Sequence, residues 1–227
     1  YQDMVTTQST TSSWTRNGAW PIFEFGSMII GPSGRFYFPL TGNTESLAQA
    51  AGTQFYKGAV MVNNGNTEYN NSCFYLHDGG EMHHNSGSVM VSGVAWGEGI
   101  EAENADGFTG INAFYNLIIS GGTLAPNRDI SVIKDFTFNT GGGYMKPQGY
   151  GTTDVWQIGG DLNVKSGTFY NYYTQASATA NISYVVSGNV NLEAAGIIEL
   201  DDQTTGTERY FKIYGNLINK GGKINSG

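Results

Sequence analysis

The densest gathering of chemically able side chains is the segment LHDGGEMHHNSG, which holds His77, His83 and His84 together with Asp78 and Glu81. Imidazoles and carboxylates bind metals and move protons. Their spacing here fits no standard zinc motif, and adjacent histidines on a strand point to opposite faces. The segment therefore reads as a solvated turn. A second group, Glu199, Asp201 and Asp202 with Arg209 nearby, has the residue types that polysaccharide cleavage uses. An acidic turn on a solvated edge accounts for it equally well. Glu101, Glu103 and Asp106 could form a loose calcium site but lack the EF-hand pattern. Cys73, beside Phe74, reads as a small buried residue. The glycine runs carry no phosphate-binding lysine motif, so catalytic residues are expected to be absent.

Two further sets concern binding. Trp156, Tyr170, Tyr172 and Tyr173, with Asn171 among them, could form a platform of rings that stacks on sugar faces and adds amide hydrogen bonds. The alternative is an outward stack that stiffens the protein. Asp135 and Asp161 occupy equivalent places in a repeat. If stacked they would repel each other unless a cation such as calcium, the only cofactor the sequence suggests, lay between them.

What must position these groups is a repeat. VIKDFTF from Val132, IGGDLNV from Ile158, VSGNVNL from Val186 and IYGNLIN from Ile213 align without gaps, their starts 26, 28 and 27 residues apart. Each is followed by a small or glycine-rich turn and then an apolar residue: Tyr144, Phe169, Ile198 and Ile224. FYNLIISGGTL from Phe114 matches the same core, and GAVMV, FYLHDGGEM and GSVMVSG are weaker echoes upstream. The period is too long for a hairpin meander and suits one coil of a parallel β-helix. Alternation of Leu162, Val164 and Phe169 marks strands with one buried face. At about 25 residues per coil the chain would supply roughly eight or nine coils. Asn116, Asp135, Asp161, Asn189 and Asn216 all precede the same core residue and should stack as a structural ladder that bonds between coils.

Composition agrees. Gly supplies 33 of 227 residues, Asn and Thr 21 each, but Leu only 9. Helix formers are scarce, whereas turn formers and β-branched or aromatic residues abound. Charged residues are 13% of the chain with a net charge of −8 and no basic cluster. Nucleic acid and anionic membrane surfaces are excluded as partners. No apolar run approaches the roughly 20 residues of a membrane span, so no membrane insertion is expected.

FYNLIISGGTL, DLNVKSGTF, SGNVNLEAAG and YGNLINKGG resemble the repeats of large adhesin-like surface proteins exported by the type IX secretion system of Bacteroidota. FEFGSMIIGPSGRFYFPLTG is similar to a further motif of those proteins, though Phe25-Gly26 lacks its Pro and Phe38-Pro39 has Phe in place of its Arg. The resemblance covers residues 114–227 well and the remainder loosely. It implies a β-helical fold, a secreted or bacterial cell-surface location, and roles in surface attachment or gliding motility. It transfers no catalytic residue.

The expectation is thus an all-β chain, a right-handed parallel β-helix (β-solenoid) over residues 46–227. Residues 1–45 show no coil-length repeat and read as an irregular cap or the end of a preceding module. The function expected is non-enzymatic: a rigid rod presenting loops for attachment to an extracellular or cell-surface glycan or protein. The alternatives are a carbohydrate-active β-helix enzyme, a lyase or hydrolase, and a filament or sheath subunit associating end to end.

Overall fold

The computed structural model describes the backbone of most residues from 52 onward and of strands within 4–39; side chains are described for 61–64, 76, 78–91, 100, 102, 106–121, 128–143, 154–170, 183–200 and 210–226. The described residues are almost entirely strand, and coils of chain stack so that each strand pairs in parallel with its counterpart one coil away. The chain forms a β-solenoid.

Its first four coils each carry three short strands. They are β1 (Met4–Thr6), β2 (Thr11–Ser13) and β3 (Ile22–Phe23); β4 (Gly26–Ile30), β5 (Arg35–Pro39) and β6 (Gly52–Phe55); β7 (Ala59–Asn63), β8 (Asn66–Asn70) and β9 (Cys73–Leu76); and β10 (Glu81–His84), β11 (Ser88–Val94) and β12 (Ile100–Ala102). A 3-10 turn at Gly110–Asn112 then interrupts the pattern. Beyond it run β13 (Leu117–Gly122), β14 (Ile130–Val132), β15 (Phe136–Met145), β16 (Thr153–Ile158) and β17 (Leu162–Tyr170). The last elements are β18 (Tyr172–Gln175), β19 (Ala178–Val186), β20 (Val190–Leu200), β21 (Phe211–Ile213), β22 (Leu217–Lys220) and β23 (Lys223–Ser226).

The longest sheet takes one strand from each coil, in the order β2-β5-β8-β11-β13-β15-β17-β20-β22, with β23 also beside β20. Its register aligns Phe36, Thr67, Val89, Leu117, Phe136, Leu162, Val190 and Leu217 in a single column. Leu162 and Val190 are fully buried, whereas Leu217 is 48% exposed because β22 lies at the edge of the sheet. The change of sequence character near residue 45 does not divide the fold. β1, β2 and β3 pair in parallel with β4, β5 and β6, so the described strands before residue 45 lie in the same sheets as those after it.

The interior filling changes once along the axis. In the first coils one column places Met4, Met28, Met61 and Met82 in register, and the last two are completely buried. From just before the 3-10 turn onward, the corresponding face aligns Phe108, Ile130, Trp156, Tyr184 and Phe211. Phe169 sits within 4.6–6.5 Å of Phe136, Phe138, Tyr184 and Phe211, ring centre to ring centre. Edge-on and tilted contacts of this kind are favourable beyond the area they bury.

β15, β17 and β20 are nine to eleven residues long because each turns a corner without ending. The corner of β17 falls at Gly167, whose φ of +86° is open to glycine at little cost. A side chain there would also strike Thr140 and the Gly143 carbonyl of the preceding coil.

Candidate functional site

The equivalent polar residues at the bend do stand above one another, and each one bonds to the next. Asn116 Oδ1 accepts the backbone N–H of Asp135 at 3.2 Å, Asp135 Oδ1 that of Asp161 at 2.8 Å, and Asp161 Oδ1 that of Asn189 at 2.7 Å. Asn189 Oδ1 completes the series by accepting the N–H of Asn216 at 3.0 Å. The backbone carbonyls run alongside: those of Asp135, Asp161, Asn189 and Asn216 accept from Leu117, Phe136, Leu162 and Val190. A bend cannot use ordinary strand pairing for every group, so a short side chain ending in an acceptor supplies the missing partner.

The ladder explains the glycine that precedes it. A Cβ on Gly160 would meet Asp135 Oδ1 and the Lys134 carbonyl. On Gly188 it would meet Asp161 Oδ1 and the Gly160 carbonyl. Gly215 is confined in the same way by the Gly188 carbonyl. Glycine followed by Asn or Asp is thus a packing signature of the corner.

The same geometry bears on a cation at Asp135 and Asp161. Their carboxylates lie one coil apart, but each already has an oxygen committed to a backbone N–H. The second oxygen of Asp161 accepts from Asn191 Nδ2 at 3.3 Å, and Asn191 Nδ2 also reaches Asn163 Oδ1 at 2.9 Å. Among the described residues no three His, Cys, Asp or Glu side chains gather as metal ligands.

The sugar-stacking set divides. Trp156 is fully buried, its ring 5.6 Å from Phe136 and 6.0 Å from Tyr184. It belongs to the interior and is corrected from ligand residue to core residue. Alternation along β16 put it inside: Asp154, Trp156 and Ile158 are buried while Val155 and Gln157 are not. Tyr170 is half-buried and its carbonyl accepts the Tyr184 hydroxyl at 3.0 Å. Burial, then the nearby Asp154 carboxylate, push that hydroxyl well above the usual phenol range, so it stays a neutral donor. Asn171 lies outside the described residues, as do the side chains of Tyr172 and Tyr173. Their backbone forms β18, which folds back antiparallel on β19, Tyr172 opposite Asn181 and Gln175 opposite Ala178. Every other strand-to-strand pairing described is parallel, so this hairpin is an insertion into the coil plan.

The histidine segment also separates by face. His83 lies outward with its Nε2 2.7 Å from Glu81 Oε2. His84 points in and is 3% exposed, and its Nδ1 accepts the backbone N–H of Tyr115 at 2.9 Å. Its Nε2 is buried with no hydrogen-bond partner. Burial pulls its pKa down to about 4, against the smaller opposing pull of the Ser86 and Gly87 carbonyls. Asn112, on the 3-10 turn, accepts the Met82 N–H at 2.8 Å. His77 lies outside the described residues, and Asp78 is exposed. The segment read as a solvated turn, but Glu81–His84 form β10, whose alternation turns His84 inward and His83 outward, and the bonds of His84 to Tyr115 and of Met82 to Asn112 across about 30 residues left no local signal.

Of the acidic groups, Glu199 accepts from Asn225 Nδ2 at 2.6 Å on the strand face. Asp201, Asp202 and Arg209 lie outside the described residues, as do Glu103 and the side chains of Glu101 and Cys73. Asp106 is exposed, and its carbonyl accepts the Thr109 hydroxyl. No helix among the described residues is long and apolar enough to cross a membrane. Comparison with family models, curated proteins and solved structures finds no match to this chain.

Proposed function

We propose that this chain is a structural and adhesive rod, secreted or held at a bacterial cell surface, which presents its inserted loops to an extracellular glycan or protein without turning over a substrate. The observation that carries the reading is the contrast between the uniform coil-to-coil ladder and the β18–β19 hairpin. The ladder repeats one polar contact at successive coils from Asn116 to Asn216, which suits a stiff support. A repeated backbone offers the same surface at every level, so specificity belongs to the departures from it. The hairpin is such a departure, and the stretch from Tyr170 to Asn181 contains no charged residue. Tyrosine on an uncharged surface suits the flat faces and hydroxyls of neutral sugars. The resemblance to type IX exported adhesin repeats favours the surface location and a part in attachment or gliding.

Replacing Tyr172 and Tyr173 together with Ser tests this. Binding of the intact chain to a glycan array or to whole cells should drop, with the circular dichroism spectrum unchanged. Equal binding by the double variant, or turnover of a polysaccharide by the native chain, would refute the proposal.

A further inference from the structure

The break between the two halves of the solenoid has its own chemistry. Upstream, one face ends with β10; downstream, the equivalent face begins with β14. Between them, Phe108 and Phe114 pair with Ile130 and Val132, two residues apart, while the chain from Thr109 to Ala113 loops out through the 3-10 turn. Sheet pairing across this loop is replaced by side-chain bonds. Asn112 Oδ1 receives the Met82 N–H, His84 Nδ1 receives the Tyr115 N–H, and Asn116 Nδ2 donates to the Gly87 carbonyl at 2.7 Å. Of these groups only His84 changes its hydrogen-bonding sense by taking up a proton.

We propose that His84 is an acid-sensitive latch, which closes the interrupted face of the solenoid, beside the unbroken β11–β13 pairing of the long sheet, while its ring is neutral and releases that face when the ring takes up a proton. The donor from Tyr115 fixes the neutral tautomer, with Nδ1 bare and the proton on Nε2. An imidazolium carries N–H on both nitrogens. Nδ1–H would then face the Tyr115 N–H, donor against donor, while Nε2–H, without an acceptor in either state, offers no compensation. The carbonyls of Ser86 and Gly87 give only partial relief, outweighed by burial, and that of Gly87 is already held by Asn116. Accepting a proton thus costs the bend at 115–116 one bond and puts a second in competition.

No carboxylate is among the groups acting on the ring, and only the Ser86 and Gly87 carbonyls favour a charge there. On its own strand, Glu81 and His83 pair with each other on the outer side. Across the break it meets the rings of Phe114 at 6.4 Å and Tyr115 at 6.2 Å, and its register partner in the preceding coil is the buried Asn63. The closed joint thus holds His84 neutral down to about pH 4, whereas an opened joint frees it to titrate at the ordinary 6.5. The closed form is favoured fully above 6.5 and loses ground as pH falls through this window.

The test is amide exchange of the full chain between pH 7 and 3, corrected for intrinsic exchange chemistry, with the His84 ring protons followed by NMR. Protection at Tyr115 and Met82 should fall by about tenfold per pH unit between 6.5 and 4, while that at Leu162 and Val190 holds. His84→Gln keeps an acceptor that does not titrate, and its protection at Tyr115 should be flat with pH. A His84 midpoint near 6.5, or unchanged protection at Tyr115 down to pH 4, would overturn the latch. So would the same acid release in the Gln variant. Should that variant not fold, the native titration decides alone.

Discussion

Among the described residues, the upstream coils bury Met61 and Met82 with aliphatic side chains and the downstream coils bury a cluster of aromatic rings, and the two halves differ in regularity in the same sense. From Phe36 to Phe136 the aligned column advances by 31, 22, 28 and 19 residues. From Phe136 to Leu217 it advances by 26, 28 and 27. Methionine has three rotatable bonds and a polarizable sulfur, so it fills an irregular interior without demanding a fixed distance. Rings favour particular offsets and tilts, and Phe169, touching four of them, needs neighbouring coils to repeat closely. The polar ladder starts across the last irregular step, from Asn116 to Asp135, and continues through the regular coils. Upstream the bend is held differently, by Asn85 donating to Asn64 Oδ1 and Ser86 to the Asn64 carbonyl. Core and corner therefore change together, and the change falls at the 3-10 turn.

If ring packing sets the downstream order, truncating its centre should have the largest effect. Phe169→Ala should cost about 3–5 kcal/mol, as a fully buried ring leaves a cavity its rigid neighbours fill poorly. Met82→Leu, equally buried, should cost less than about 1.5 kcal/mol because volume is kept and the surroundings adapt. Chemical denaturation of both variants measures the contrast. Equal losses would mean that the two interiors are equally exacting.

The difference in regularity also decides what the sequence could reveal. The constant downstream step made the repeat from Val132 visible, and with it the column of Leu162, Val190 and Leu217 and the stacked residues from Asn116 to Asn216. Upstream, steps of 31 and then 22 residues hide the period although the pairing is kept, so residues 1–45 read as a cap. Trp156 was misplaced because its grouping with Tyr170–Tyr173 used nearness in sequence, while strand alternation decided its face. The His84 joint depends on partners 30 residues away on an irregular turn, and no periodic signal points to it.

Glycine at the corner gives a sharper test of the ladder's packing. Gly188→Ala should cost about 1–3 kcal/mol, since the new methyl meets the Gly160 backbone and Asp161 Oδ1. Gly142→Ala, with nothing within 4 Å of the added carbon, should be within about 1 kcal/mol of neutral or slightly stabilising. Thermal melts of the two variants suffice. A neutral Gly188→Ala would show that the coils can part enough at the corner to admit a methyl, and the glycine signature would lose its physical basis.

The smallest effect expected is at Asp161, and it separates a ladder held by hydrogen bonds from one held by an ion. Asp161→Ala removes the acceptor of the Asn189 N–H, but Asn189 is only partly buried and water can replace it, so the loss should be about 1 kcal/mol. Asp161→Asn keeps that acceptor and gives up only the longer contact from Asn191, so it should cost less still. Elsewhere in the ladder Asn116 and Asn189 accept the same backbone N–H, so an amide is sufficient for this contact. A cation between Asp135 and Asp161 would reverse the expectation: calcium would raise the melting temperature of the native chain, and Asp161→Asn would abolish that rise. With hydrogen bonds alone, native chain and Asn variant should melt within a degree or two of each other, with or without calcium. A calcium-dependent gap between them would make the pair a metal site and would assign the regularity of the downstream half partly to bound ions.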